Sequence, residues 1–173
     1  MHKVAQFEKV SWRQFQKDYV DTFGRDATIN MENLKDTYKK IKLPTRATTG
    51  SAGYDFKSPI AFTLEPGGSI KIPTGIRAKI DDSWVLMIYP RSGLGFKYRV
   101  QLDNTVGIID SDFYYSDNEG HIFCKITNDS KEHKVIAINS GDGFAQGVFM
   151  PFGVTYDDNV TKVRNGGFGS TGK

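Results

Sequence analysis

The sequence predicts a mainly β fold with a short helical N-terminal extension and a flexible, glycine-rich C-terminal tail. Short runs in which apolar and polar residues nearly alternate are separated by clusters of glycine, proline, asparagine and aspartate. Helical spacing of apolar residues is confined to residues 1–42. The chain also contains 18 glycines, which favours a turn-rich protein. Many short strands without intervening helices indicate a β-sandwich, a jelly roll or a barrel.

Composition and charge narrow the class of protein. Hydrophobic residues make up 38% of the chain and charged residues 25%, which supports a folded core. A net charge of +3 suits attraction of a phosphorylated small molecule and is too small to predict direct nucleic-acid binding. Cys124 is the single cysteine, so an internal disulfide is excluded and a reducing compartment is expected. Because no stretch resembles a signal peptide or a membrane span, we expect a cytoplasmic protein without membrane contact.

The N-terminal extension, residues 1–42, is expected to form two helices. Ser11 and Gln14 have the spacing of a capping box at the start of the first helix. The apolar face of this helix comprises Trp12, Phe15, Tyr19 and Phe23, and the polar residues, including Asp18, lie largely elsewhere. A second short helix is predicted after Asn30, with its inward face formed by Met31, Leu34 and Tyr38.

Residues 43–160 are expected to form the β core. SIKIPTGIRAKI and GHIFCKITN alternate cleanly, and HKVIAIN alternates less cleanly through Val135 and Ile138. WVLMIYP is a continuous apolar run, which predicts a strand covered on both faces. Residues 161–173 are too rich in glycine to pack and are expected to form a mobile arm.

The tail contains a misleading phosphate-loop match. GFGSTGK has the spacing of such a loop, but neither a preceding strand nor a helix that would face phosphates accompanies it. A kinase-like function is therefore not expected. Phe168 between glycines points instead to an aromatic ring that stacks on a base, with nearby amides and hydroxyls for phosphate.

Three further segments contain residues suited to nucleotide chemistry. PRSGLGFK offers the phosphate-binding fork of Arg91, the hydroxyl of Ser92, and a glycine at Gly93 that lets the backbone approach a ligand. TVGIIDSDF and SAGYDF supply the carboxylates Asp110 and Asp55. Each segment alone is also compatible with an ordinary turn. A zinc site at His121 and Cys124 is not expected, because their spacing on a strand puts them on opposite faces.

In this order along the chain, the segments resemble the motifs of the homotrimeric dUTPases. SAGYDF, PRSGLG, NTVGIIDSDF, GDGFAQGVF and GGFGSTG carry the resemblance, from about Leu43 to Gly172. The resemblance implies a jelly-roll-like β-barrel that hydrolyses dUTP to dUMP and pyrophosphate. Such an activity limits uracil incorporation into DNA and supplies dUMP for dTMP synthesis.

The resemblance also implies a role for each matched residue. Asp110 is the general base that activates the attacking water. Asp55 supports the water shell of Mg²⁺, an ion held mainly by the triphosphate and water. Asn104, Gly107 and Ile109 match the uracil-reading hairpin, and Phe113 takes the position, usually tyrosine, that packs under the deoxyribose. The remaining substrate-binding positions are those that grip phosphates or close the tail over the base: Arg91, Ser92, Gly93, Gln146, Arg164, Phe168, Gly169 and Ser170.

Three departures from the family pattern stand out. The chain inserts YYSDNE before Gly120, and the helical extension lies outside the family core. Arg164 also sits one residue closer to the glycine pair than usual. The extension is expected to pack on the barrel or on a trimer, with docking of a partner protein as the alternative.

The resemblance further implies a homotrimer in which each active site draws motifs from different subunits. Two alternatives remain open. A dCTP deaminase shares the fold and would release ammonia. A regulatory protein is the other, since some phage-encoded relatives bind repressors, and the extension and the insertion are candidate docking surfaces.

Overall fold

The computed structural model describes residues 2–24, 31–162 and 164, and it confirms the mainly β, jelly-roll-like fold. The extension and the first half of the core contain β1 Ala5–Lys9, α1 Trp12–Phe23, α2 Met31–Lys40, β2 Thr45–Arg46, β3 Tyr54–Lys57, β4 Phe62–Leu64, β5 Ser69–Pro73 and β6 Ile76–Ile80. The second half contains β7 Trp84–Pro90, α3 Ser92–Tyr98, β8 Val100–Leu102, β9 Gly107–Ile109, a 3-10 helix Ser111–Tyr115, β10 Phe123–Asn128, β11 Ile136–Ile138 and β12 Gly143–Pro151.

The strands pair antiparallel in sheets that surround one apolar core. The largest sheet has five strands in the order β2-β3-β12-β7-β9, and β5-β10-β8 form a three-stranded sheet. The pairs β1-β6 and β11-β4 complete the arrangement. Strand β12, nine residues long, lies between β3 and β7 and so connects the segments SAGYDF and PRSGLG. The larger apolar side chains with essentially no exposed surface are Val10, Phe15, Ile72, Leu86, Ile122, Ile126, Ile136 and Phe144.

The strand alternation is confirmed, with two differences. In β6 and β10 every second side chain is buried, as the pattern predicts. In β7 the side chains of Leu86 and Ile88 are buried, but the opposite face is only half-buried within one chain. The prediction that both faces of this strand are covered was therefore wrong for the single chain. In β11 the core-facing residues are Ile136 and Ile138; Val135, expected in the alternation, is exposed.

Helix α1 begins at the predicted N-cap, but its first turn does not form the predicted capping box. The Ser11 hydroxyl accepts a hydrogen bond from the Gln14 backbone amide at 3.1 Å. The Gln14 side chain, however, donates to Asp18 at 2.8 Å, and the Ser11 amide donates to Glu119. Phe15 and Tyr19 are buried as expected, but Asp18 is also buried, so its placement away from the packed face was wrong. The pattern failed here because a partner from a distant segment satisfies this carboxylate.

The extension also contains a strand that the sequence pattern did not predict. Strand β1 pairs with β6 along its whole length, with Glu8 opposite Arg77. Helix α2 is confirmed; Leu34 is buried and Tyr38 partly buried, while the Met31 side chain lies outside the description. The buried residues of α1 and α2 belong to the same core as the strands. Among the helices in the described residues, none is long and apolar enough to cross a membrane.

Candidate active site

Asp55, predicted to support the metal's water shell, and Arg91 and Gln146, predicted to bind phosphates, meet on neighbouring strands of the largest sheet. Gln146 of β12 lies opposite Asp55 of β3 on one side and opposite Tyr89 of β7 on the other. Arg91 follows β7 directly, and its Nε lies 3.0 Å from Oδ1 of Asp55. The Arg91 side chain also donates to the Gly143 carbonyl at 3.1 Å. The structure therefore brings Asp55, Arg91 and Gln146 together, with the guanidinium oriented by a carboxylate and a backbone carbonyl.

Two glycines allow these side chains to approach the backbone closely. A Cβ at Gly143 would lie 2.7 Å from Nη1 of Arg91, and a Cβ at Gly53 would lie 2.6 Å from Oε1 of Gln146. Both distances are shorter than a Cβ contact permits. These glycines, in GDGFAQG and SAGYDF, thus make room for functional side chains.

Ser92 and Gly93 begin a short helix, not the simple turn that strand-end chemistry suggests. Helix α3 runs from Ser92 to Tyr98, and Arg99 ends it in the left-handed region with φ 52°. Ser92 and Gly93 are exposed beside Arg91, and a Cβ at Gly93 would meet no atom within 4 Å. The first turn of α3 is therefore open to a ligand next to the Arg91 guanidinium.

The predicted base-reading residues line a cavity of about 340 Å³. The segment of the predicted hairpin contributes Asn104, Gly107 and Ile109 to its wall, although β8 and β9 pair with different strands and not with each other. A Cβ at Gly107 would approach Cβ of Ile88 to 3.0 Å, so a larger residue there would push into the neighbouring strand. Thr105, at the hairpin tip, has φ 67°, a strained conformation for a β-branched residue that is typical of functional loops.

Part of this cavity comes from residues that the sequence did not single out. Strands β5 and β10 contribute Lys71, Phe123 and Lys125. The Lys71 ammonium lies 4.6 Å from the centre of the Phe123 ring, a cation–π contact. In the sequence these residues are marked only by their outward-facing positions in alternating strands. That pattern does not distinguish a pocket wall from ordinary surface.

Asp110 stands where β9 passes into the 3-10 helix, and Arg164 contacts it. One guanidinium nitrogen of Arg164 binds the Asp110 carboxylate, and Nε binds Asp112 at 2.8 Å. The Asp110 side chain is 47% exposed, whereas Phe113, three residues on, is buried. Arg164, expected to reach phosphates, thus contacts both carboxylates of this acid pair. Phe168, Gly169 and Ser170 lie outside the described residues.

The strand register separates Asp110 from Arg91 and its neighbours Asp55 and Gln146 in the same chain. Ile109 pairs with Leu86, so Asp110 lies beside Val85 at the beginning of β7. Arg91 follows the other end of β7. At roughly 3.3 Å per residue, the two positions are about 20 Å apart along the strand. Among the described residues, no side-chain hydrogen bond or ion pair joins the two groups.

His121 is a buried structural residue. Its Nε2 accepts a hydrogen bond from the Gly75 amide at 2.7 Å, so Nδ1 carries the proton and donates to Asp18 at 2.5 Å. Burial raises the pKa of Asp18, but hydrogen bonds from His121 and Gln14 outweigh it, and the net pKa lies below the ordinary value. Complete burial of Cys124 raises the pKa of its thiol to about 12, so it is not a ready metal ligand. Within the described residues no cluster of three His, Cys, Asp or Glu side chains could hold a metal ion.

Comparisons with known proteins agree with these features. The dUTPase family model matches residues 39–172. The deoxyuridine 5'-triphosphate nucleotidohydrolase of Lactococcus lactis is 44% identical over 135 residues, covering 76% of this chain and 89% of that protein. The crystal structure of dUTPase from Streptococcus mutans has a TM-score of 0.60 at 31% identity, covering 86% of this chain and 97% of that chain.

A more distant match shares the fold. A point mutant of the dUTPase from phage phi11 of S. aureus, whose structure is described as showing the coordination of a structural Mg(II) ion, has a TM-score of 0.61 at 19% identity. The alignment covers 92% of this chain and 98% of that one. At this identity the match supports the fold alone.

Proposed function

The chain belongs to the dUTPase family, and from that membership we propose how it acts on dUTP. It is a dUTP nucleotidohydrolase. Water attacks the α-phosphorus, dUMP and pyrophosphate are released, and the cell thereby limits uracil incorporation into DNA and gains dUMP for dTMP synthesis. The observation that carries this mechanism is the grouping of the matched residues. The Arg91 guanidinium lies with Asp55 and Gln146, and Asp110 directly follows Ile109, which lines a base-sized cavity.

Asp110 accepts the proton of the attacking water. Its carboxylate is half-exposed at the end of β9 and therefore accessible to a water molecule. Arg164 forms an ion pair with this carboxylate, and substrate phosphates compete for the same guanidinium. Movement of Arg164 from the acid pair to a phosphate frees Asp110 to act as a base. Phe168, Gly169 and Ser170 then close over the nucleotide and exclude water.

Arg91, Ser92, Gly93 and Gln146 bind the phosphate chain. The Arg91 guanidinium is held by Asp55 and the Gly143 carbonyl, so little side-chain entropy is lost when it binds phosphate oxygens. The uracil occupies the cavity between the hairpin and β10, where Asn104, Gly107 and Ile109 contact it. Phe113 packs under the deoxyribose and leaves no room for a 2′-hydroxyl.

The donor set fits Mg²⁺ bound through the substrate. One oxygen of Asp55 contacts Arg91, which leaves the other to hold a water of the metal shell. Mg²⁺, when bound, orients the triphosphate and neutralises charge on the departing pyrophosphate. Chelation should therefore abolish turnover without unfolding the protein, and added Mg²⁺ should restore it.

The active site is composite and the enzyme a homotrimer. This proposal is supported by the separation of about 20 Å between Asp110 and Arg91 along one chain, which follows from the register of β7 and β9. Two such groups from neighbouring subunits can instead face one nucleotide. A stable monomer that turns over dUTP would contradict the composite site.

Pyrophosphate release from dUTP, beside dTTP, dCTP and UTP, tests the proposal. Selective turnover of dUTP that falls by about two to four orders of magnitude in Asp110→Asn supports Asp110 as the base. Undiminished turnover in that variant would reject it. An ammonia assay with dCTP separates the dCTP deaminase alternative, because only a deaminase releases ammonia.

A further inference from the structure

The extension and the inserted segment, which the sequence marks as two of the departures from the family pattern, bind each other. The inserted segment is YYSDNE, residues 114–119. Side chains of the extension contact it, or the histidine just after it, at three places. Glu8 contacts Tyr114, Ser11 contacts Glu119, and Asp18 contacts His121.

The first contact joins β1 to the end of the 3-10 helix. The Tyr114 hydroxyl donates to a carboxylate oxygen of Glu8 at 2.8 Å. Arg77, which pairs with Glu8 across β1 and β6, stacks its guanidinium 3.5 Å from the centre of the Tyr114 ring and donates to the Tyr114 carbonyl at 3.3 Å. The side chain and the backbone of Tyr114 are thus both held from the β1-β6 pair.

The second contact places a carboxylate at the beginning of helix α1. The backbone amide and the hydroxyl of Ser11 each donate to one oxygen of Glu119 at 2.7 Å. A negative charge is favourable at this position because it faces the amide end of the helix dipole. Glu119 has φ 58°, a conformation that is uncommon for a residue other than glycine and is maintained here by these bonds.

The inserted segment lies directly against the 3-10 helix. A Cβ on Gly120 would stand 2.7 Å from Cα of Tyr114 and 2.8 Å from the carbonyl oxygen of Phe113. The chain after the insertion therefore touches the backbone of two residues in the last turn of this helix. A displacement of the insertion is transmitted to Phe113 and, through a helix of only five residues, to Asp110.

We propose that the extension is a brace for the catalytic segment, in which Tyr114 and Glu119 are positioning residues for Asp110 and Phe113. The inference rests on the proposed function, in which Asp110 is the general base and Phe113 packs under the deoxyribose. A short 3-10 helix has poor hydrogen-bond geometry of its own and relies on neighbours for its position. A misplacement of about 1 Å in an active site can lower the rate a hundredfold.

Removal of one phenol hydroxyl tests the brace. We expect Tyr114→Phe to lower kcat for dUTP by about three- to thirtyfold with little change in KM, and to weaken the preference for dUTP over UTP. Ser140→Ala is the matched control, because the Ser140 hydroxyl also makes one short bond to a backbone carbonyl, to Pro59 at 2.9 Å, outside both the extension and the inserted segment. This control should lower the melting temperature to a similar degree and leave kcat and selectivity within about twofold.

Two further variants separate positioning from stability. Glu8→Gln keeps an acceptor for Tyr114 and should retain most of the activity, whereas Glu8→Ala should reproduce Tyr114→Phe. Glu119→Ala should also lower kcat, while Glu132→Ala, at an exposed glutamate remote from the extension, should not.

Wild type and Asp110→Asn are measured in the same assay. Absence of dUTP turnover by the wild type would overturn the proposed function. Normal wild-type turnover, together with Tyr114→Phe and Glu119→Ala enzymes that match their controls in kcat and in selectivity, would overturn the brace alone.

Discussion

At the scale of single residues, Gly120 shows how backbone conformation and packing combine. It has φ 69°, and the space where a Cβ would stand is occupied by the backbone of Phe113 and Tyr114. We predict that Gly120→Ala destabilises the protein by about 2–4 kcal/mol, since a left-handed conformation and a backbone clash add together. Chemical denaturation measures the change.

Gly141→Ala supplies the control for this substitution. Gly141 also has a positive φ, of 91°, but a Cβ there would meet nothing within 4 Å. Its replacement should cost only about 1 kcal/mol, from conformation alone. Equal losses in the two variants would show that the contact with the 3-10 helix is unimportant for stability.

Asp18 should make stability depend on pH in a defined direction. Burial raises its pKa, hydrogen bonds from His121 and Gln14 lower it more, and the folded-state pKa therefore lies below the ordinary 3.8. The stabilisation is fully present above the unfolded pKa and is lost as the pH falls through the folded pKa. We predict that Asp18→Asn lowers the free energy of unfolding by about 1–3 kcal/mol at pH 7 and that this difference closes below about pH 4.

Denaturation of both proteins between pH 7 and pH 3 measures this difference. Asp36→Asn is the control: the Asp36 pKa is also lowered, by Lys39, but the pair is exposed on α2, so its replacement should have little effect at any pH. A difference in the free energy of unfolding between wild type and Asp18→Asn that stays constant down to pH 3 would contradict a charged Asp18 carboxylate in the folded protein.

At the scale of elements, β12 and β7 together position the Arg91 guanidinium, for which we propose phosphate binding. The Gly143 carbonyl accepts from Arg91, and a Cβ at Gly143 would lie 2.7 Å from that guanidinium. Because the obstructed atoms are the end of a flexible side chain, Gly143→Ala should move Arg91 without unfolding the strand. We predict a fall of about tenfold in kcat/KM for dUTP with a melting temperature within about 2 °C of wild type.

The matched control is Gly50→Ala, whose added methyl group meets nothing within 4 Å. It should leave both kcat/KM and melting temperature unchanged. Wild-type kinetics in Gly143→Ala would mean that the orientation of Arg91 seen here is not the one that binds phosphate.

At the scale of the whole molecule, the separation of Asp110 from Arg91 predicts complementation between inactive variants. Asp110→Asn and Arg91→Ala should each be nearly inactive alone. If subunits of the proposed homotrimer mix at random, about three quarters of the assemblies contain both kinds, and each of these has one intact site among its three. Co-refolded protein should therefore recover about a quarter of wild-type activity.

Separate affinity tags on the two variants allow mixed trimers to be isolated and assayed. Failure of isolated mixed trimers to hydrolyse dUTP would place both residues in a site made by one chain. The loss of activity in each variant alone shows that both residues are required, and the recovery in mixed trimers then tests the assembly.

Much of the fold follows from local sequence patterns, which depend on residues close together in the chain. Alternation predicted β6 and β10, and the Ser11 cap predicted the beginning of α1. The order of the motifs was enough to identify the family and to name Asp55, Arg91 and Gln146, which the structure brings together. The roles of these residues, and of the tail beyond Arg164, stay predictions.

Only the tertiary structure decided which distant segments meet. The pairing of β1 with β6, the burial of Asp18 by His121, 103 positions away, and the bond from Tyr114 to Glu8, 106 positions away, have no local signature. A charged residue on a helix is expected to face water unless a partner satisfies it, and the partner is known only once the chain has folded. For the same physical reason the sequence marked the extension and the insertion as separate departures, and the fold joins them.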